Sequence, residues 1–292
     1  MPRSPSPFTA PVRIALRNQV SALFNDASKG EAPVKRRADA LFPTDSVTWR
    51  VHGDVVTMMI GGVTSLLLQM LHPAAMAGVW DHSDFRHNMM GRLRATAKFI
   101  ARTTYDHADD AREVLARVRH IHGFIRGALE DGTPYEANDP ELLAWAHAAE
   151  TWSFLAAWAR YGEPEMAAAD KDRYFAEMTL IGRELGADPV PDSLATTEAF
   201  IDAMRPQLRA DHRSREVCRM VLNQRVGPLV TEPASKVLMA AAVDLLPDWA
   251  RDMHGLKAPR LTAPAVRASA FAMAETLRWA YADSPNVRVH AD

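Results

Sequence analysis

The sequence predicts an all-α protein built as a single multi-helix domain. Alanine and leucine dominate the composition and β-branched residues are sparse, which favours helices. Apolar residues recur at helical spacing in one segment after another, whereas no run alternates apolar and polar residues as a half-buried strand would. No segment repeats at a fixed period, so a solenoid is not expected.

The first half of the chain contains four predicted helical segments before residue 105. An amphipathic helix begins at Pro11, after a Pro/Ser-rich tail, and a polar loop covers residues 25–35. An apolar helix runs from about Asp54 to Leu71 and is stopped by His72-Pro73, because the residue before a proline avoids the helical region. A short helix at 74–80 and a longer one at about 88–104 follow.

The remaining chain is predicted to be helical up to residue 282. The expected helices cover about 108–129, 140–161, 170–185, 193–205, 213–223, 233–246 and 263–282. The loop at 186–192 is the best candidate for a domain linker, and it is short. We therefore expect an N-terminal tail and first helix over 1–35, followed by one helical domain over 36–285.

Composition restricts the classes of partner and compartment. Lys and Arg number 34 against 36 Asp and Glu, so no excess of positive charge favours nucleic acid. Cys218 is the only cysteine, which excludes disulfides and iron–sulfur clusters within this chain and suits a reducing cytoplasm. The first residues show no apolar signal region, so we expect a cytoplasmic protein.

One apolar stretch invites comparison with a membrane span. Residues 55–71 carry no charge, but seventeen residues are marginal for crossing a bilayer. Gly61-Gly62, Gln69 and the His72-Pro73 pair interrupt its apolarity. A buried helix at the centre of a soluble domain is the preferred interpretation, and stable membrane insertion is not expected.

Two predicted helices carry the first candidate site. Arg92 and Thr96 are four residues apart and share a helical face, and Arg119, His122 and Arg126 share a face of the next helix. An imidazole flanked by guanidinium groups suits a haem, with the imidazole for the iron and arginines for the propionates. A partly buried histidine in an ordinary ion-pair network explains the same pattern.

The loop DHSDFRHN, residues 81–88, is the second candidate. Its carboxylates and imidazoles could hold a divalent metal, cap the neighbouring helices, or hang a polar group over a pocket. A carboxylate-bridged di-iron site is excluded, since no Glu-x-x-His occurs and no glutamate lies between residues 32 and 112. No nucleophile elbow, P-loop or dinucleotide fingerprint is present, and the absence of Cys-x-x-Cys-His means that any haem would bind non-covalently.

Four runs together resemble the bacterial DUF2236 family, and LPDWARDMHGL at 246–256 is a weaker landmark. The runs are LLLQMLHPAAMAGVWDHSDF at 66–85, GRLRAT at 91–96, RHIHGFIRG at 119–127 and DGTPYEANDPELLAWAHA at 131–148. That family is related to the latex-clearing rubber oxygenases and to the oxygenase of the mycophenolic acid pathway that cleaves a farnesyl chain. The resemblance extends from about Leu41 to the last helix. It implies a b-type haem in an all-helical fold with a globin-like core.

The resemblance also assigns roles to individual residues. His122 matches the proximal haem ligand, with His120 as the competing neighbour, and Arg92 and Thr96 match the family's arginine and threonine on the haem-side helix. Ala95 stands where the rubber oxygenases have a distal lysine, and no glutamate between His72 and Arg92 matches their proposed base. These departures argue against rubber cleavage and leave an open distal site.

The resulting expectation is a haem b-dependent oxygenase that uses dioxygen on a hydrophobic small molecule of the isoprenoid, olefinic or aromatic kind. Arg92, Thr96 and His82 are the predicted catalytic residues, with Asp84 and His87 as further candidates for the distal proton donor. The predicted cofactor-binding residues are His122, Arg92, Thr96, Arg119 and Arg126. A haem sensor or carrier without turnover, and a haem-free protein that binds an apolar ligand, remain alternatives; a homo-oligomer is compatible with each.

Overall fold

The computed structural model describes residues 9–25, 27–224, 232–257, 262–282, 284 and 289–290. Over these residues the protein is all-α, as predicted, with thirteen α-helices and four very short strands. The helices are α1 Ala10–Phe24, α2 Val47–His52, α3 Val55–Gln69, α4 Pro73–His82, α5 Met89–Tyr105, α6 Ala108–His122, α7 Pro140–Tyr161, α8 Ala168–Leu185, α9 Leu194–Met204, α10 His212–Leu222, α11 Glu232–Leu245, α12 Asp248–His254 and α13 Ala263–Tyr281. The strands are β1 Arg36–Arg37, β2 Arg126–Ala128, β3 Pro134–Glu136 and β4 Val289–His290. The Pro/Ser-rich tail, residues 1–8, lies outside the described part.

The pair of helices α3 and α7 forms the centre of the fold. Asp54 caps α3 by accepting a hydrogen bond from the Thr57 amide, and Asp139 caps α7 in the same way through Leu142. Both helices are apolar on most of their circumference, so they are enclosed by neighbours. Helices α8 and α9 pack on α7, while α11 and α13 cover α3. Trp145, which is fully buried on α7, lies in the largest apolar cluster.

The close approach of α3 to α7 depends on Gly61. A Cβ at this position would lie 2.8 Å from Phe154 Cδ1 and 3.0 Å from both Phe154 Cα and the Ser153 carbonyl oxygen. At the adjacent Gly62 the nearest atom would be Phe154 Cε1 at 3.8 Å, an ordinary contact. The first glycine is therefore required by packing and the second is not.

This difference gives a stability prediction. Gly61→Ala should lower the free energy of unfolding by about 1–3 kcal/mol, because α3 must move away from the α7 backbone. Gly62→Ala is the matched control and should raise stability by about 0.5–1 kcal/mol through the better helix propensity of alanine. Urea denaturation of both variants measures the two effects. Equal effects of the two substitutions would contradict this packing account.

The chain turns sharply between α3 and α4. The apolar helix α3 ends at Gln69, two residues before the predicted end at Leu71. His72 caps α4 because its Nδ1 accepts a hydrogen bond from the Ala74 amide. The two helix axes differ by 104° across this break. Within the described residues no single helix is long and apolar enough to cross a membrane, and α3 and α4 meet that criterion only as a bent pair.

Three expectations about secondary structure were wrong. The predicted helix at 108–129 ends at His122, and β2 and β3 then form an antiparallel hairpin in which Gly127 pairs with Tyr135. Glycines at 123 and 127 and the Asp131-Gly132 turn, where Gly132 has a φ of +86°, explain why helix gives way to hairpin. Helices α2 and α12 were not predicted, because their six and seven residues are too short for a periodic signal. Strands were also not expected, and β1 pairs with β4 in parallel.

Candidate functional site

His122 is the last residue of α6 and lies at the centre of the candidate site. The helix ends here because the Gly123 amide donates back to the Arg119 carbonyl, at 3.1 Å. The imidazole is half-buried, and its Nδ1 atom is fully enclosed without a hydrogen-bond partner in the described part of the chain. Desolvation lowers the pKa of His122, and the positive charge of Arg92 lowers it further. The ring is therefore neutral at neutral pH, which is the form that binds metals.

Arg92 lies opposite, in the first turn of α5. Asn88 caps this helix through the Gly91 amide, and Arg92 Nη1 donates to Ser83 Oγ over 3.1 Å. The Arg92 side chain remains accessible to solvent, while crowding around its guanidinium lowers its pKa by desolvation. Thr96, one turn later, donates its hydroxyl to the Arg92 carbonyl over 3.2 Å. Arg92 and His122 thus lie at neighbouring helix ends, since α5 packs against α6 and the Arg92 charge acts on His122. Thr96 lies further along, in the middle of α5.

The two other predicted arginines lie elsewhere. Arg119 Nη1 donates to the Glu184 carbonyl oxygen at the end of α8, over 3.3 Å, so this guanidinium is engaged by a helix terminus. Arg126 was expected on the same helical face as His122, and that expectation was wrong. Because α6 ends at His122, Arg126 is an exposed residue of β2 opposite Glu136.

The loop at 81–88 does not gather a metal site. Nowhere in the described ranges do three or more His, Cys, Asp or Glu side chains come together to share a metal ion. His87 Nδ1 and Asp84 Oδ1 are 2.6 Å apart, but the side chains are 84% and 72% exposed. His82 ends α4, exposed, with its ring centroid 6.4 Å from that of Tyr135. The capping interpretation of this loop is supported, because Asn88 starts α5.

Tyr135, which sequence analysis did not single out, connects the hairpin to α4. It is 5% exposed, and its hydroxyl donates to Asp81 Oδ2 over 2.8 Å. Burial, followed by the bond to Asp81 and its charge, raises the pKa of Tyr135 to about 12. The Asp-Gly turn between two short apolar runs was a sequence signal for this hairpin.

A second polar cluster is buried between α2, α5, α7 and α8. Thr104 donates its hydroxyl to the Ile100 carbonyl, so its oxygen accepts from His52 Nδ1 at 2.8 Å. The other nitrogen of His52, Nε2, then accepts from the Tyr174 hydroxyl at 2.9 Å. Desolvation lowers the pKa of His52 to about 3, which keeps the ring neutral. Only the tertiary fold brings these residues together, so no sequence signal could identify them.

Glu150 lies on α7 beside this cluster. Its carboxyl makes no hydrogen bond or ion pair with any residue that the structure describes. Desolvation alone raises the pKa of Glu150 to about 7, and the Glu150 charge contributes to the raised pKa of Tyr174. One turn earlier on α7, burial lowers the pKa of His147 to about 4. His147 is thus a buried core histidine, and its ring lies where a Cβ on Gly182 would come within 3.0 Å.

An open pocket of about 370 Å³ lies away from His122. Its arginines are already engaged, since Arg50 pairs with Asp170 at 2.6 Å and Arg173 with Glu177 at 2.9 Å. None of the predicted site residues lines it. The lining residues are Arg36, Thr44, Asp45, Ser46, Val47, Trp49, Arg50, Asp170 and Arg173.

Comparison with known proteins identifies the family to which this helical chain belongs. The chain is a member of a family of oxygenases. The family is described as ER-bound oxygenase mpaB/B'/Rubber oxygenase, catalytic domain, and its profile matches residues 49–279. This range contains Arg92, Thr96 and His122, and the resemblance found in the sequence is confirmed. Searches of curated proteins and of solved structures give no match.

Proposed function

We propose that this protein is a haem b-dependent oxygenase that acts on a hydrophobic small molecule, with His122 as the iron ligand. The observation that carries the proposal is the enclosed Nδ1 of His122, which has no partner among the described residues and lies near the charge of Arg92. A buried polar atom without a partner is costly, so it points to a group that binds there. Membership of an oxygenase family supplies the reaction class.

The residues around His122 fit a haem. A neutral imidazole can bind iron through either ring nitrogen, and no described carboxylate competes for the enclosed one. Arg92 offers a guanidinium with solvent access, suited to a propionate carboxylate, and Ser83 orients it. Thr96 donates its hydroxyl to the Arg92 carbonyl within α5. Arg119 and Arg126 have no comparable place in this proposal.

When bound, the haem would supply dioxygen chemistry. This chain would bind and orient the haem and the substrate and would exclude water from them. The neutral state of His122 keeps the ring available as a ligand at neutral pH. Ala95 carries only a methyl group, so it could not itself donate a proton to a bound substrate or to dioxygen. His82, which ends α4 with its ring centroid 6.4 Å from that of Tyr135, would be the candidate proton donor.

The substrate class is argued from the surface next to His122. Phe124 is 68% exposed and Ile121 is 47% exposed, so two large apolar side chains lie within two residues of the proposed ligand. Exposed apolar groups beside a polar site favour an apolar partner. An isoprenoid, olefinic or aromatic molecule fits this surface, and rubber, named in the family description, is itself a hydrocarbon polymer.

Arg92 gives a prediction with an internal control. Arg92→Ala should weaken haem binding about tenfold, because a charge-assisted hydrogen bond of about 1.5 kcal/mol or more is lost. Arg94→Ala should leave haem affinity unchanged, because Arg94 Nε donates to the Leu23 carbonyl at 2.7 Å and points to α1. Titration with haemin, followed by absorbance, compares the two variants. Equal affinities of the two variants would contradict the role of Arg92.

Oxygen uptake by the haem-loaded protein tests the function itself. A panel of isoprenoid, olefinic and aromatic compounds should include one that raises uptake above the substrate-free rate, with isotopic oxygen found in the product. A protein that binds haem tightly but consumes no oxygen with any compound would instead be a sensor or carrier. A protein that binds no haem, yet binds compounds of the panel, would be an apolar-ligand carrier.

A further inference from the structure

The β2–β3 hairpin joins the end of α6 to the end of α4, next to His122. On the α6 side, the Ile125 amide donates to the His122 carbonyl at 3.0 Å, and Asn138 Nδ2 donates to the Arg119 carbonyl at 3.0 Å. Both bonds satisfy carbonyls at the last turn of α6. The hairpin therefore extends the helix end that carries His122.

On the α4 side, the hairpin is attached through Tyr135. Its hydroxyl donates to Asp81 Oδ2 at 2.8 Å, and its ring packs toward Gly78, where Ile125 also makes contact. Tyr135 pairs with Gly127 of β2 and leaves no room for a side chain at position 127, since a Cβ there would lie 2.8 Å from the tyrosine oxygen. The position of the tyrosine ring is thus closely determined.

Asp81 is held from a third direction by α10. Arg213 Nη1 lies 3.7 Å from Asp81 Oδ1, and Arg213 Nη2 donates to Glu130 Oε1 in the hairpin turn at 3.3 Å. The Arg213 side chain is 16% exposed and that of Asp81 is 38% exposed, so the pair is shielded on the arginine side only. The carboxylate of Asp81 therefore has a second partner besides Tyr135.

The contacts close a ring around the candidate site. Ser83 follows Asp81 by two residues and accepts from Arg92, so α4 is tied to α5 as well as to the hairpin. From His122 the ring passes through the hairpin, Tyr135, Asp81 and Ser83 to Arg92, and α5 packs back against α6. The hydrogen bond from the Tyr135 hydroxyl to Asp81 joins the hairpin directly to α4. Removing that one hydroxyl would break this link.

We propose that Tyr135 is a positioning residue whose hydroxyl bond to Asp81 holds the imidazole of His122 in place relative to Arg92. The inference rests on the proposed haem function for the reason why His122 must be positioned. The contacts themselves do not depend on that function. A ligand imidazole must be oriented by its surroundings, and loss of an orienting contact lowers affinity for the bound group about tenfold or more. The high pKa of Tyr135 keeps its hydroxyl protonated, and thus able to donate, at all physiological pH values.

Tyr135→Phe tests this role, because it removes only the hydroxyl oxygen. The matched control is Tyr105→Phe, another buried tyrosine, whose hydroxyl lies 3.5 Å from the Trp49 carbonyl in a different cluster. The haem-free proteins are compared by NMR of the His122 ring nitrogens and by amide exchange at Ala137 and Ile125. The Tm of each variant is recorded, and haem dissociation is then measured on the loaded proteins.

We expect Tyr135→Phe to broaden or shift the His122 ring resonances, to speed hairpin amide exchange and to accelerate haem loss about tenfold, with Tyr105→Phe unchanged in all three. Combining Asp81→Ala with Tyr135→Phe should add little to the effect of Asp81→Ala alone. Unaltered His122 resonances in Tyr135→Phe, with a fall in Tm equal to that of Tyr105→Phe, would overturn the proposal. Failure of the wild type to bind haem would refute the proposed function and leave the NMR comparison as the test of positioning.

Discussion

Replacing His122 with alanine is expected to abolish stable haem binding. The ring is the only proposed protein ligand to the iron. Its removal should therefore lower haem affinity by more than the about 10- to 100-fold that is lost when a residue supporting a ligand is replaced. The fold should survive, because His122 is half-buried at a helix terminus and its ring makes no hydrogen bond through Nδ1 to a described residue. The Soret absorbance of the reconstituted variant, compared with wild type, measures the effect.

Two histidines serve as controls for His122→Ala. His120 is exposed, with its ring edge-on to Phe124 at 5.0 Å, so His120→Ala should retain haem. His147 is buried in the core, and His147→Ala should lower stability while haem still binds. If His120→Ala lost the Soret band and His122→Ala kept it, the iron ligand would be His120 and the assignment of His122 would be wrong.

Replacing Glu150 with glutamine is expected to stabilise the protein above neutral pH. The folded carboxyl has a pKa of about 7 against an ordinary value of 4.5, so the native state retains a proton that the unfolded state has released. Its contribution is therefore fully present below about pH 4.5 and is lost as pH rises to about 7. At pH 8, the free energy of unfolding of Glu150→Gln should be higher than that of wild type by up to about 3 kcal/mol.

The measurement is urea denaturation of wild type and variant at several pH values between 4 and 8. Taking the difference between the two proteins cancels the buried histidines His52 and His147, which lose protons in the same range in the unfolded state. The pH-dependent difference for Glu150→Gln should exceed that for Glu113→Gln, the matched control on the exposed face of α6. A difference for Glu150→Gln that stays constant with pH would show that Glu150 ionises normally.

The sequence predicted the helices that carry long periodic patterns or clear caps. The break between α3 and α4 near His72-Pro73 and the end of α8 at Gly186 followed from local chemistry, and Gly186 does adopt a left-handed φ of +95°. The end of α6 did not, because apolar periodicity continues through Ile125 while strand pairing with residues 134–136 decides the structure. That pairing is a tertiary effect which a single helix pattern does not contain.

The candidate site was predicted in part for the same reason. Arg92 and His122, chosen from helical faces and a family motif, do lie near each other, while Thr96 lies further along α5, and the roles of all three stay predictions. Arg126 was misplaced because its position depended on a helix that ends earlier. Tyr135, Glu150 and His52 gain their roles from burial and from partners on other helices. The cytoplasmic location, the single domain over 36–285 and the role of His82 stay predictions.

Haem content is the most direct test of the central claim. The full chain, expressed with haem supplied and then purified, should contain about one non-covalently bound haem per chain, released intact by acid extraction. The protein should keep this haem during exchange against apomyoglobin for far longer than the His122→Ala variant does. Wild-type protein that remains colourless after both expression and reconstitution, while folded by circular dichroism, would contradict the assignment of a haem site at His122.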